Sequence, residues 1–294
     1  RHPEFVEYFQ NADYTYPIEV PSPANPRKTN EYRIMPYGDD NLLLISRDVT
    51  RVSQLEDMRR DFVANVSHEM RTPLTVINGY LEMLPMTSLD DDPLAHKAIY
   101  EMSTQTKRMQ NLIEDLLVLS RIESSSERIY EHIVNMPNMF AQIAMEARQL
   151  NTDKQHQIEF HIDPELHVYG VEGELRSACS NLIFNAVHYT PHGGKIDVYW
   201  SKNGHDAVFK VVDNGDGIDD KHLLRLTERF YRVDKARSRK TGGSGLGLSI
   251  VKHVLNHHNS LLEIRSIVGQ GSEFSFRLGY ELIPTESSKT DHAK

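Results

Sequence analysis

Cysteine is nearly missing from this chain: among its 294 residues only Cys179 carries a thiol. An internal disulfide and a cysteine-built zinc cage are therefore excluded, which fits a reducing compartment. A basic surplus is missing as well. Lys and Arg number 33 against 42 Asp and Glu, a formal net charge of −9. That is the wrong sign for a chain that neutralises nucleic-acid phosphates. No apolar run approaches the roughly 18 residues that span a membrane, and no secretory signal pattern is present. The chain starts at Arg1 in mid-pattern and reads as a piece of a longer protein whose front holds a membrane anchor. What is there is an ordinary apolar content of 39%, enough for a real core, and length for about two domains with a linker.

The first 50 residues read as strands. EYRIMPY alternates, GDD turns and NLLLIS is a short apolar run, which together make a hairpin. PSPANPRKTN before it has loop composition, and Pro36 suggests an edge position. Asp48-Val49-Thr50 supplies a helix start. From there Leu55, Met58, Phe62, Val66, Met70, Leu74, Ile77, Leu81 and Leu84 follow at spacings of three and four, so one long amphipathic helix is predicted. TSLDDDP is a turn. A second stripe, Ile99, Met102, Met109, Ile113 and Leu116, leads to the Ser-rich linker SRIESSSER. Two such helices form an antiparallel hairpin. One hairpin cannot bury both stripes, which predicts a homodimer closing a four-helix bundle. After about Ile129, strands (QIEFHI, KIDVYWS, AVFKVVD, LLEIRSI, EFSFRL) mix with helices (MFAQIAMEARQL, EGELRSACSNLIFNAVHYT, GLSIVKHVLNHH), an α/β sandwich of normal domain size. The tail IPTESSKTDHAK reads as loose.

The stretch SHEMRTPLT breaks the first helix pattern with Pro73 beside a His-Glu pair. His68 lies about 200° around the helix from both Val66 and Met70, so it faces solvent, where most histidines are simply solvated. Thr72 is one turn on and on the same face. Pro73 lacks an N–H, so the Glu69 carbonyl loses its helical partner and the helix can bend there. A neutral imidazole is a nucleophile at neutral pH, and the adjacent Glu69 can take the proton its second nitrogen releases. A zinc site is excluded, because HExxH needs a second His where Thr72 stands.

Four further signals follow in order. In NLIFNAVHYT, Asn181 and Asn185 share a helix face, and their amide oxygens suit Mg²⁺; helix-surface amides are the plain alternative. In DNGDGI, Asp213 ends an apolar strand, and Gly215 and Gly217 allow close approach of a ligand; a simple turn is the alternative. The segment from Asp219 to Gly242 carries eight cations (Lys221, Arg225, Arg229, Arg232, Lys235, Arg237, Arg239, Lys240) against four acids, a basic loop suited to phosphate or merely solvated. In GGSGLGLSIV, Gly243, Gly245 and Gly247 lead into a helix N-terminus, which binds phosphate. No strand precedes it, so it is not a Rossmann turn. Together they describe a nucleotide pocket under a mobile basic lid. Two other features read as plain structure: His253 and His257 as a solvated pair, and Cys179 as core.

The ordered set resembles the bacterial two-component sensor histidine kinases. SHEMRTPLT is similar to the H box, NLIFNAVHYT to the N box, DNGDGI to the G1 box, ERFYRVDKARSR to the F box and GGSGLGLSIV to the G2 box. The likeness covers roughly residues 51–278, and the segment before it resembles the end of a PAS sensor domain. Within the family, DFVANVSHEMRTPLTVINGYLEML and LTERFYRVDKARSRKTGGSGLGLSIVKH are most similar to sensors of phosphate starvation.

The resemblance implies domains at 1–50 (PAS-like), 51–126 (dimerisation and phosphotransfer), 127–282 (catalytic, ATP-binding) and a tail at 283–294. It implies His68 as phosphoacceptor, Glu69 as its base and Thr72 as the residue that places water for dephosphorylation. ATP and Mg²⁺ are the implied cofactors: Asn181 and Asn185 for the metal, Tyr189 and Asp213 for adenine, Arg232 and Arg237 for phosphates. Gly215, Gly217, Ile218, Gly243, Gly245, Leu246, Gly247 and Leu248 shape pocket and lid. His188 stands where the family often has Lys, and Met70 where it has Leu. The implied partner is a response regulator with a receiver-domain Asp, and the implied location is the cytoplasmic portion of an inner-membrane sensor. A non-kinase ATPase of the same superfamily would lack the H-box helix, and a non-catalytic scaffold would not bind nucleotide.

Overall fold

The computed structural model describes residues 2–38, 41–83, 93–124, 131–233 and 244–284. These fall into two units, Arg1–Arg71 and Thr72–Lys294.

The first unit begins with helix α1 (Pro3–Asn11), followed by three antiparallel strands in the order β1 (Ile18–Ser22), β2 (Asn25–Tyr37) and β3 (Asn41–Asp48). The expected hairpin is β2–β3, with Tyr37 opposite Asn41. The expected loop PSPANPRKTN is instead a hairpin of its own. It turns tightly between Ser22 and Asn25, and its second half already runs in β2 opposite β1. Its polar residues have loop composition, but a central strand takes its hydrogen bonds from neighbours whatever its side chains. Pro36 lies beyond the last β1 pair, Ile18 with Tyr32, where β2 has a partner on one side only.

Helix α2 (Thr50–Met83) springs from this sheet. Its start is fixed by side chains. Asp48 accepts both the N–H (3.1 Å) and hydroxyl (2.6 Å) of Thr50, and Thr50 Oγ1 accepts the N–H of Thr29 at 2.9 Å. Those bonds, with the Lys28 ammonium at 3.0 Å, hold the Asp48 carboxyl down at about 2. Of the predicted stripe, Phe62, Val66, Met70 and Ile77 are half-buried, whereas Leu55, Met58, Leu74 and Leu81 are exposed. Pro73 is the buried residue of the helix. Leu84 and the turn after it lie outside the described residues.

In the second unit, helix α3 (Pro93–Ser124) turns a strict heptad seam inward: Ala95, Ala98, Met102, Gln105, Met109, Leu112, Leu116 and Leu119 are buried or half-buried. Ile99 and Ile113, expected in that seam, are exposed. After β4 (Ile133–Val134) come α4 (Met136–Leu150), β5 (Gln157–Ile162), β6 (Val168–Tyr169) and α5 (Glu172–Tyr189). Then follow β7 (Lys195–Asn203), β8 (Asp206–Asp213), the short α6 (Asp220–Leu223), α7 (Gly247–His257), β9 (Glu263–Ile267) and β10 (Gly271–Leu278). Five strands form one mixed sheet, β5-β7-β8-β10-β9, parallel only between β5 and β7. Alternation does the sorting: Ile196, Val198 and Trp200 of β7, Phe209 and Val211 of β8, and Phe276 of β10 are buried. Phe140 of α4 stacks on Phe209 at 5.6 Å, and Phe209 on Phe276 at 5.0 Å. Helices α4 and α7 pack against α5, and α3 packs against α7. Cys179 is fully buried, which raises its thiol pKa far above the ordinary value. The expected two-layer α/β domain is thus present, with strand and helix boundaries within a few residues of those predicted.

Candidate nucleotide and phosphoacceptor sites

Helix α5 carries the amides because its apolar residues Leu175, Ala178, Cys179, Leu182, Ile183 and Ala186 take the buried side. Asn181 and Asn185 are left half-buried at its margin. Asn181 Nδ2 donates to the Ser177 carbonyl at 2.9 Å, which aims its Oδ1 at the start of α7. The contact there is tight: a Cβ on Gly247 would stand 2.4 Å from Asn181 Oδ1. Only glycine lets these two segments, 66 positions apart, meet so closely.

The acidic turn joins from the other side. Asp213 sits at the end of β8, 8% exposed, and its carboxylate accepts the N–H of Gly215 at 2.8 Å and that of Ser272. Burial raises its pKa above the ordinary carboxylate range despite those bonds. Gly215 lies against the Tyr189 carbonyl at the end of α5. The Ile218 N–H donates to Ser266 Oγ at 2.8 Å, and Ser266 and Ser272 hydroxyls lie 2.9 Å apart. The sequence carries no local signal for the two serines: Ser272 stands opposite Asp213 and Ser266 opposite Ser272 in β-sheet register, which requires knowing the pairing.

The glycine turn before α7 is held by its neighbours. Gly245 has φ +76, a left-handed value glycine adopts freely, and its carbonyl accepts the Phe230 N–H at 2.9 Å. The Leu246 N–H donates to Ser244 Oγ at 3.1 Å, and Ser244 Oγ–H donates to Asp115 of α3 at 2.5 Å. Leu246 itself is fully buried, so its side chain packs the turn. Asp115 is largely desolvated, and burial pushes its carboxyl pKa up, against the Ser244 bond. This link of hairpin helix to glycine turn spans 129 positions and left no local trace in the sequence.

His188 is half-buried. Burial, with the nearby Lys154 charge, lowers its pKa, so it stays neutral at pH 7. Lys154, unmarked by any motif, closes the end of α5: its ammonium reaches the carbonyls of Val187 (3.1 Å), His188 (2.5 Å) and Thr190 (3.3 Å). Tyr189 is 43% exposed, and Leu248 is half-buried in the first turn of α7.

The basic segment is less free than its composition suggests. Lys221 pairs with Asp219 at 2.8 Å, and Arg225 with Glu228 at 3.0 Å while lying over the Tyr231 ring. Arg232 is half-buried. Arg237 and Gly243 lie outside the described residues. The expectation for His257 is corrected. Its Nδ1 bonds the buried Glu174 at 2.7 Å, because α7 packs its last turn against the start of α5.

On α2, His68 and Thr72 are exposed and Glu69 is half-buried, as the helical phase predicts. His68 and Glu69 belong to the first unit and Thr72 opens the second.

Residues 58–125 match the model of the His Kinase A (phospho-acceptor) domain, and residues 170–282 that of the histidine kinase-, DNA gyrase B- and HSP90-like ATPase. The phosphate regulon sensor protein PhoR of Pseudomonas aeruginosa is 50% identical over 94% of this chain and 62% of its own length. PhoR of Haemophilus influenzae is 41% identical over 86% of this chain and 59% of its own. The chain thus spans about three fifths of the length of these two relatives. The histidine kinase ThkA, solved in complex with the response regulator protein TrrA, aligns with a TM-score of 0.59. It is 20% identical, and the match covers 94% of this chain and 81% of that one, a likeness of fold. With both domain models in this order and relatives of this identity, the chain belongs to the sensor histidine kinases.

Proposed function

We propose that this chain is the catalytic portion of a sensor kinase that moves the γ-phosphoryl group of ATP to His68 and then to a receiver-domain Asp of a response regulator. The observation that carries the reading is convergence. Asn181, the turn of Asp213 and Gly215, and the glycine turn of Gly245 and Gly247 come from three separated segments and meet around α5 and the start of α7.

These residues fit ATP with Mg²⁺. A carboxylate held by two N–H bonds suits an adenine amino group, the amides of Asn181 and Asn185 suit a hard cation, and the backbone at the start of α7 suits phosphate. Bound there, the nucleotide supplies an electrophilic phosphoryl group. Tyr189 and Ile218 border the adenine side, while Leu246 and Leu248 hold the turn. Arg232 serves the phosphate side, and neutral His188 adds little charge. His68 acts as nucleophile, Glu69 takes the imidazole proton, and Thr72 orders the water of the reverse, phosphatase reaction. Pro73 gives α2 the choice of two bends for these two tasks.

In this reading residues 1–50 are the end of a PAS-like sensor domain, 51–126 the phosphotransfer hairpin, 127–282 the ATP domain and 283–294 a tail. Ile99 and Ile113, together with Leu55, Met58, Leu74 and Leu81, offer apolar surface to a second copy, which supports a homodimeric four-helix bundle. Among the described residues no helix is long and apolar enough to cross a membrane. The membrane anchor and the inner-membrane, cytoplasm-facing location of the parent rest on the kinship to PhoR, as does a role in phosphate-starvation signalling.

The experiment is incubation with γ-labelled ATP and Mg²⁺ beside His68→Ala. Acid-labile label on the parent, absent from the variant, is the expected result. Nucleotide binding without label would refute autophosphorylation of His68.

A further inference from the structure

Among the described residues, one face of the five-stranded sheet has no helix packed on it, and it carries a group that nucleotide chemistry does not use. In the parallel pairing of β5 with β7, Glu159 stands opposite Asp197 and His161 opposite Tyr199. Strand alternation turns all four away from the helices. His161 Nε2 lies 3.6 Å from Glu159 Oε2 and 3.6 Å from Asp197 Oδ1. That is too long for a hydrogen bond. It is the separation of two donors on one four-coordinate cation, about 3.3–3.6 Å when each bond is near 2.0–2.2 Å. The three donor atoms all fall within 4.8 Å of one another.

Two details argue for a prepared site. Asp197 Oδ2 is engaged by Lys195 Nζ at 3.1 Å, yet Oδ1 is buried with no hydrogen-bond partner. The imidazole is held by stacking on Tyr199, ring centroids 4.7 Å apart at 16°, and Lys210 Nζ sits 4.9 Å from the Tyr199 ring centre. Glu159 and His161 remain about half exposed, so a cation can enter and keep a water. By contrast, the cluster of Glu174, His257 and His258 is closed. His258 Nε2 accepts the Val171 N–H and Nδ1 donates to the Val254 carbonyl, so that ring has no lone pair left.

We infer that Glu159, His161 and Asp197 form a binding site for a zinc-class divalent cation, with three protein donors and an open position. One imidazole with two carboxylates selects this class over Mg²⁺, which prefers oxygen and water. The site is on the face of the sheet opposite the nucleotide residues, so it is independent of the kinase reading.

The test uses the whole chain without nucleotide or Mg²⁺. Titration with Co²⁺ reports a low-coordinate site through its visible d–d absorption, and Zn²⁺ competition gives the affinity. A saturable band that Zn²⁺ displaces is expected. His161→Gln and Glu159→Gln should each weaken it at least about tenfold, the scale of even outer-shell changes, while metal-free thermal unfolding stays unchanged. No band, or a band undiminished in both variants, overturns the site. In that case the three side chains are only a bridged ion pair.

Discussion

Gly247→Ala separates site geometry from stability. The new Cβ would stand 2.4 Å from Asn181 Oδ1 and 3.2 Å from its Cγ, closer than such atoms approach, so something must move. The backbone of α7 cannot retreat easily, since Val251, Val254 and Leu255 are fully buried. The Asn181 side chain can swing away at the loss of its bond to Ser177, worth about 1 kcal/mol. Relief of glycine's helix penalty offsets roughly 0.5–1 kcal/mol of that. The net effect on folding is therefore near zero, a shift of a few degrees at most in unfolding temperature. The effect on Mg²⁺–nucleotide binding is not small, because the displaced amide is a proposed metal ligand; a loss of about 1.4 kcal/mol is tenfold in affinity. Calorimetric titration of a non-hydrolysable ATP analogue, with thermal unfolding alongside, measures both quantities. The Gly247→Ala, Asn181→Ala double variant should bind no worse than Asn181→Ala alone, since the clash is gone. Unchanged affinity in Gly247→Ala, or full additivity in the double variant, would refute the argument.

Burial raises the Asp115 carboxyl pKa, so its stabilising contribution is complete below the unfolded value of 3.8 and is lost as pH climbs through the folded one. Asp115→Asn keeps an acceptor for Ser244 without the buried charge. It should unfold at a higher temperature than the parent at pH 7, with the gap narrowing at pH 5, whereas Asp115→Ala should lose the bond and the gain. Lys154→Met removes the cation that closes α5 and should cost about 1.5–3 kcal/mol, the scale of hydrogen bonds to a charged group, in denaturant unfolding. The same change removes a like charge from His188, so the His188 pKa followed by NMR should rise.

Much of the fold was legible because it is periodic. Strands β7, β8 and β10 alternate over a face that must be buried, and α2, α5 and α7 repeat at helical spacing. The hairpin turn near Ser22 was not legible, because polar residues in a strand look like a loop until a partner strand is present. The exposure of Ile99 and Ile113 was not legible for the opposite reason: an apolar residue records that something covers it, not what does.

By itself the sequence determined the order of chemical groups along the chain: an exposed His beside a Glu on a helix, then amides, carboxylate, cations and glycines. Each depends on residue type and local phase, which neighbouring positions encode. Tertiary structure alone decided which groups touch. Gly247 against Asn181, Ser272 against Asp213, Ser244 against Asp115, Lys154 at the end of α5 and His161 beside Asp197 all join distant segments. Such contacts follow from strand register and helix packing, which are set by burying the whole core at once and leave no spacing to read.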